Sequence, residues 1–118
     1  MPLAEWDREF KLWTYAFSFS RLLYRSEPEF DGDLRVDLLF THVRAMNVPA
    51  FLSPMSIEKA DFEENREALH ITETPDQAFN LYILNGGPYY VLALHCNWHE
   101  DHQWLDAPSH FGPFRRVD

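Results

Sequence analysis

The sequence has little cysteine and no long apolar run, and both shortages limit what the protein can be. Cys96 is the only cysteine among 118 residues, so the chain cannot form an internal disulfide. This usage is typical of a reducing compartment. The first residues lack the basic and apolar regions of a signal peptide, and no apolar run reaches the length of a membrane span. We therefore expect a cytoplasmic protein without a membrane association.

Basic residues are also scarce. The chain contains ten lysines and arginines and nineteen aspartates and glutamates, which gives a net charge of −9. Residues 57–76 alone contain seven acids and two bases. A phosphate backbone is repelled by such a surface, whereas a basic protein is attracted to it. We expect no nucleic-acid binding, and a basic protein as the partner.

Apolar and aromatic residues are abundant enough to form a core. They make up 46% of the chain, aromatics alone account for 16%, and large side chains occur from Trp6 to Phe114. A chain of this length folds without disulfides or a structural metal when it buries such a core. The sequence predicts a single globular domain over residues 1–118.

The most informative stretch is residues 77–99, which contain no Asp, Glu, Lys or Arg. Asn85-Gly86-Gly87-Pro88 interrupts it with residues that favour tight turns, so two apolar runs are predicted to form a hairpin. Both faces of this hairpin are apolar, which indicates a central position with cover on each side. The predicted fold is mainly β, a small antiparallel sandwich or partly open barrel with one short helix. The alternative is an α+β fold.

Two further segments support that prediction. Between Lys11 and Ser26, aromatic residues alternate with polar ones, with Trp13, Tyr15, Phe17 and Phe19 on one face, and this favours two strands or one bent strand. Asp61 followed by Glu64 resembles a capping box, which predicts a short solvated helix that ends near Leu69.

His95, His99 and His102 form the one cluster that resembles a reactive site. On a helix the three imidazoles share a face and could bind zinc. On a strand, His95 and His99 lie about 13 Å apart, which is too far for one ion. A metal-binding protein or metal-dependent enzyme is therefore the alternative function, and it depends on the secondary structure of this segment.

The sequence predicts no catalytic residue. No serine lies in a Gly-x-Ser-x-Gly motif, and no glycine-rich phosphate-binding loop is present. Cys96 follows His95 directly, and neighbouring residues of a strand point to opposite faces, so the two do not form a catalytic pair. We interpret Cys96 as a buried, inert thiol.

Trp98 and Trp104 flank a polar segment rather than an apolar run, which favours a place on a surface that contacts a partner. Aromatic residues inside the β-structure could instead line a pocket, so a carrier of a small ligand is the third alternative.

Residues 17–26, Phe-Ser-Phe-Ser-Arg-Leu-Leu-Tyr-Arg-Ser, and residues 35–43, Arg-Val-Asp-Leu-Leu-Phe-Thr-His-Val, carry a resemblance to known proteins. They resemble the opening of small uncharacterised bacterial proteins that often accompany toxin-immunity domains. The resemblance implies an accessory or immunity-like binding protein and no activity. Together with the charge, it leads us to expect a non-catalytic domain that presents an acidic and aromatic surface to a basic protein.

Overall fold

The computed structural model describes residues 2–27, 34–102 and 109–111. The elements in chain order are β1 (Ala4–Trp6), β2 (Phe10–Ala16), a 3-10 turn (Ser18–Ser20), β3 (Arg21–Ser26), β4 (Arg35–Asn47), β5 (Phe51–Leu52), β6 (Met55–Ala60), α1 (Phe62–Asn65), β7 (Asn80–Leu84) and β8 (Tyr89–Asp101). The strands form one open antiparallel sheet in the order β1-β6-β7-β8-β4-β3-β2-β5. The predicted mainly β fold with one short helix is confirmed.

The uncharged hairpin occupies the middle of the sheet. β7 and β8 pair from Asn80 opposite Ala93 to Leu84 opposite Tyr89, and β8 continues as the neighbour of β4. The connecting turn has positive φ angles at Asn85, Gly86 and Gly87, where glycine avoids the steric cost of a side chain. The prediction of a central hairpin is confirmed, and residues 89–101 form a strand.

The sheet curls because its two ends are joined by short connections. Two residues separate β5 at one edge from β6 near the other, and three separate β1 from β2. The rings of Trp6 on β1 and Phe10 on β2 lie 5.3 Å apart. The curl encloses the main core, which consists of Phe10, Leu22, Tyr24, Val36, Leu38, Phe40, Leu52, Met55, Ile57, Tyr82, Leu84, Val91 and Ala93.

A smaller core lies on the opposite face of β7 and β8. Its buried members are Ile71, Leu81, Tyr90 and Leu92, and α1 and the chain after it pack against them through Phe62, Leu69 and Phe79. Both faces of the central hairpin are therefore covered, which removes the apolar surface that its sequence would otherwise expose to water.

The segment from Lys11 to Ser26 forms two strands, as predicted, but its aromatic residues do not share one face. A register shift between Leu12 and Thr14 breaks the alternation, so Tyr15 lies opposite Leu22 of the main core while Trp13 packs on Arg25. Phe17 and Phe19 lie in the turn between the strands rather than on a strand.

The helix begins where the capping pattern places it. The Asp61 side chain accepts a hydrogen bond from the backbone N–H of Glu64 at 2.9 Å. The helix ends at Asn65, earlier than predicted. Turns follow it, and His70, at φ 57°, reverses the chain direction before Ile71 enters the smaller core.

Among the described residues, no helix is long and apolar enough to cross a membrane.

Candidate functional site

The strand conformation of residues 89–101 separates the predicted histidine cluster. His95 and His99 both lie in β8, four residues and about 13 Å apart along the strand, and His102 follows its end. Their cross-strand partners on β4 also differ, Thr41 for His95 and Asp37 for His99. In the described part of the chain, no three metal-binding side chains come together. The structure therefore does not bring His95, His99 and His102 to one ion.

His99 instead stacks on a histidine from the end of the chain. The rings of His99 and His110 lie 3.7 Å apart at an angle of 12°, and Phe111 contacts both rings edge-on. His99 Nε2 is 3.9 Å from Asp101 Oδ2. This arrangement packs residues 109–111 against β8.

Of the two tryptophans predicted to contact a partner, the structure describes Trp98. Trp104 lies outside the described residues. The Trp98 side chain is 39% exposed, and its ring meets the edge of Trp6 at 5.6 Å. Trp6 in turn donates from Nε1 to Glu100. Trp98 is therefore partly exposed, and it contacts Trp6 on one side.

Four charged residues form a network that the sequence did not suggest. Arg25 donates to both carboxylate oxygens of Asp37, at 2.7 and 3.0 Å, and Arg35 donates to both oxygens of Asp101, at 3.0 and 2.9 Å. A distance of 4.0 Å between Arg35 and Asp37 links the two pairs. Both pairs join residues directly opposite each other on neighbouring strands. The charges are matched within the network, so it stabilises the sheet rather than offering a site to a ligand.

The single thiol lies at the rim of the main core. Cys96 packs against the core residues, and burial raises its pKa to about 12. A thiol with this pKa is protonated at neutral pH and is a poor nucleophile. The residue is partly buried, whereas the sequence predicts a buried thiol. Its raised pKa supports the prediction that it is inert.

A cleft of about 390 Å³ lies between α1 and the segment that leads into β7. Phe62, Phe79 and Leu81 form its apolar lining, and the carboxylates of Asp61, Glu63 and Asp76 stand around them. All three carboxylate residues are exposed, and the Glu63 side chain has 74% of its area in solvent. We call this feature the acidic cleft.

The carboxylates of the acidic cleft are held in place by local contacts. One oxygen of Asp61 caps α1, and Asp76 Oδ1 accepts from the backbone N–H of Ala78 at 2.9 Å. Arg66 lies 3.5 Å from Glu63 and places its guanidinium 5.1 Å from the centre of the Phe62 ring. A cation of the chain itself therefore lies on the Phe62 ring beside the Glu63 carboxylate.

The acidic cleft was not predicted as a site, although its signal was present in the sequence. The acidic stretch of residues 57–76 supplies the carboxylates, and Phe62 and Phe79 stand near its two ends. What the sequence did not reveal is that a turn after α1 brings those ends together.

Exposed aromatic residues collect at the other end of the sheet. Phe17 is 92% exposed and Phe19 67%, and both lie in the turn between β2 and β3. Trp13 and Tyr15 on β2 are partly exposed as well. We call these four residues the aromatic edge. The aromatic edge shares no residue with the acidic cleft.

The chain matches no protein-family model, no curated protein and no solved structure.

Proposed function

We propose that the protein is a non-catalytic binding protein whose acidic cleft holds a basic segment of another protein, a role of the immunity type. The observation that carries this proposal is the combination, in one open cleft, of an aromatic lining with three exposed carboxylates. Lysine and arginine side chains have an apolar stem and a charged end, and they match both parts of such a cleft.

Electrostatics adds to this match over a longer range. The stretch of residues 57–76 that surrounds the cleft has a net charge of −5, more than half of the total for the chain. A cationic partner is therefore drawn toward this side of the molecule before contact. Because salt screens such attraction, the association rate falls as ionic strength rises.

The experiment measures binding of a decalysine peptide by calorimetry at low and at physiological salt. The test variant carries Asp61→Asn, Glu63→Gln and Asp76→Asn. Asparagine caps a helix as well as aspartate does, so the first substitution removes charge without removing the cap. We expect the affinity to fall at least tenfold.

A matched control carries Glu5→Gln, Asp7→Asn and Glu9→Gln, near β1. It changes the net charge by the same amount at residues that do not line the cleft. Retained affinity in the control together with loss in the cleft variant supports the proposal. An equal loss in both variants would mean that binding depends only on total charge, and it would refute a specific role of the cleft.

A further inference from the structure

We infer that the aromatic edge is a contact between two copies of this chain, which pair through β2 to form a twofold dimer with one continuous sheet. This interface is distinct from the acidic cleft and does not depend on the function proposed for it.

The first observation is the incomplete pairing of β2. β5 covers only its beginning, with Leu52 opposite Phe10 and Phe51 opposite Lys11, and a further bond joins the Leu12 N–H to the Ala50 carbonyl. Within the described residues, no strand pairs with the outer edge of β2 from Trp13 to Ala16. An open edge of this kind is a template for another strand.

The second observation is the contrast with the opposite side of the sheet. There β1 covers β6 from Met55 to Ile57, and the remainder of β6 contains the exposed charged residues Glu58 and Lys59. Charged residues are a common protection of an edge against pairing. Residues 12–19, Leu-Trp-Thr-Tyr-Ala-Phe-Ser-Phe, contain no charge at all.

The chemistry of the aromatic edge indicates the occupant. A basic segment finds no carboxylate among residues 12–19, whereas a second copy offers aromatic rings to aromatic rings. No like charges meet when this stretch pairs with itself, although each chain has a net charge of −9. The surface is therefore complementary to itself.

The available area fits such an interface. Trp13, Tyr15, Phe17, Phe19 and the neighbouring Phe51 together leave roughly 600 Å² exposed, when each large aromatic side chain is taken as about 200 Å². A stable interface buries about 800 Å² on each partner. The aromatic side chains supply most of this area, and the backbone of the paired strands adds to it.

β5 also limits how the copies can align. Because it occupies the edge up to Leu12, antiparallel pairing of two β2 strands is restricted to the four residues 13–16. A twofold axis places one residue opposite its own copy, so Tyr15 lies opposite Tyr15 of the second copy and Thr14 lies opposite Ala16. The turn that carries Phe17 then approaches Phe51 of that copy. Among the described strands each chain has one open aromatic edge, and a twofold contact uses it in both copies, so the assembly closes as a dimer and does not grow into a fibre.

The test is the mass of the full chain by light scattering or sedimentation at about 100 μM. We expect a dimer of twice 14.0 kDa. Phe17→Glu should raise the dimer dissociation constant at least tenfold, and because Phe17 is 92% exposed the fold should be retained. Circular dichroism verifies the fold. If the melting temperature of Phe17→Glu is lowered, Phe19→Glu serves as the second variant.

Leu3→Glu is the matched control, because Leu3 is an exposed apolar residue beside β1, at the other edge of the sheet. It should leave the mass unchanged. A monomeric wild-type chain at this concentration overturns the inference. So does a dimer that persists in the folded Phe17→Glu variant, or one that Leu3→Glu dissociates equally.

Discussion

The two faces of the β3–β4 pair are both buried, but by different means. On the inner face, Leu22, Leu38 and Phe40 pack into the main core and are inaccessible to solvent. On the outer face of the same strands, Arg25, Arg35 and Asp37 are at most 2% exposed, beside the buried Leu23 and Leu39. The outer face thus buries a charged network together with apolar side chains.

The comparison shows that burial alone does not reveal how a face is stabilised. The inner face gains free energy by removing apolar area from water and by close packing. Burial of the outer face removes water from its ions, which costs free energy. Only paired hydrogen bonds of good geometry offset that cost. Substitutions on the inner face should therefore change the free energy of unfolding mainly through side-chain volume. Substitutions on the outer face should change it mainly through charge balance.

Asp37→Ala is expected to have the largest effect of a single substitution. It removes both hydrogen bonds that Asp37 accepts from the buried Arg25 guanidinium, and with them the negative charge that this pair holds in the sheet. Breaking a buried pair in this way costs about 3 to 5 kcal/mol. Urea denaturation measures the free energy of unfolding, and a loss below about 1 kcal/mol would show that the outer face is not stabilised by this pair.

Leu38→Ala tests the residue next in the chain, which points to the inner face. Leu38 is fully buried in the main core, so truncation creates a cavity and costs about 2 to 5 kcal/mol. The same denaturation measurement applies. Leu38→Met, which nearly conserves the volume, is the matched control and should cost less than about 1.5 kcal/mol. If both variants lost the same free energy of unfolding, the stability of the inner face would not depend on side-chain volume.

The double variant Arg25→Met, Asp37→Leu should be much more stable than Asp37→Ala. It removes both charges of one pair and leaves Arg35 bound to Asp101. Replacing a whole buried ion pair with apolar residues of similar size is often neutral, so we expect stability within about 2 kcal/mol of the natural chain. A double variant less stable than Asp37→Ala would indicate that the network acts through specific geometry and not through charge balance.

Ionisation of Cys96 should have no effect on stability at neutral pH, and its contribution appears only at alkaline pH. Its pKa is about 12 in the folded chain and 9.0 as the ordinary value, so the folded state holds its proton more tightly than the unfolded state. The resulting stability is present below pH 9 and is lost as pH rises from about 9 toward 12. The slope is at most about 1.4 kcal/mol per pH unit.

Denaturation curves at pH 8, 9 and 10 measure this slope, and Cys96→Ala should reduce it. Burial also raises the pKa of Tyr24 above its ordinary value of 10.0, so tyrosine ionisation contributes at higher pH. An unchanged slope between pH 9 and 10 in the Cys96→Ala variant would assign the alkaline loss to other groups.

Local sequence signals predicted the parts of the fold that depend on local physics. The cap of α1 follows from Asp61 and Glu64, and the central turn follows from the run Asn85 to Pro88. The shift near Trp13 had no such signal, because alternation of aromatic and polar residues continues through it in the sequence. The pattern therefore predicts one shared face for these aromatic residues, whereas Phe17 and Phe19 lie in the turn after β2.

The candidate sites were less predictable than the fold. The histidine spacing was ambiguous between helix and strand, and only the pairing of β8 with β4 and β7 decided it. The acidic cleft combines Asp61 and Glu63 with Asp76, which the turns after α1 bring together. The edge of β2 beside the aromatic residues stays open because β5 pairs with only two residues of β2, Phe10 and Lys11.

Composition and short-range alternation are enough to predict an acidic chain without an internal disulfide that builds antiparallel strands around an uncharged hairpin, because these signals act over a few residues. Which charges are matched and which aromatic residues remain exposed depends on the folded sheet. Arg25 and Asp37 are twelve residues apart, and Arg35 and Asp101 are sixty-six apart. Their contacts depend on strand register, which long-range pairing sets and local patterns do not encode.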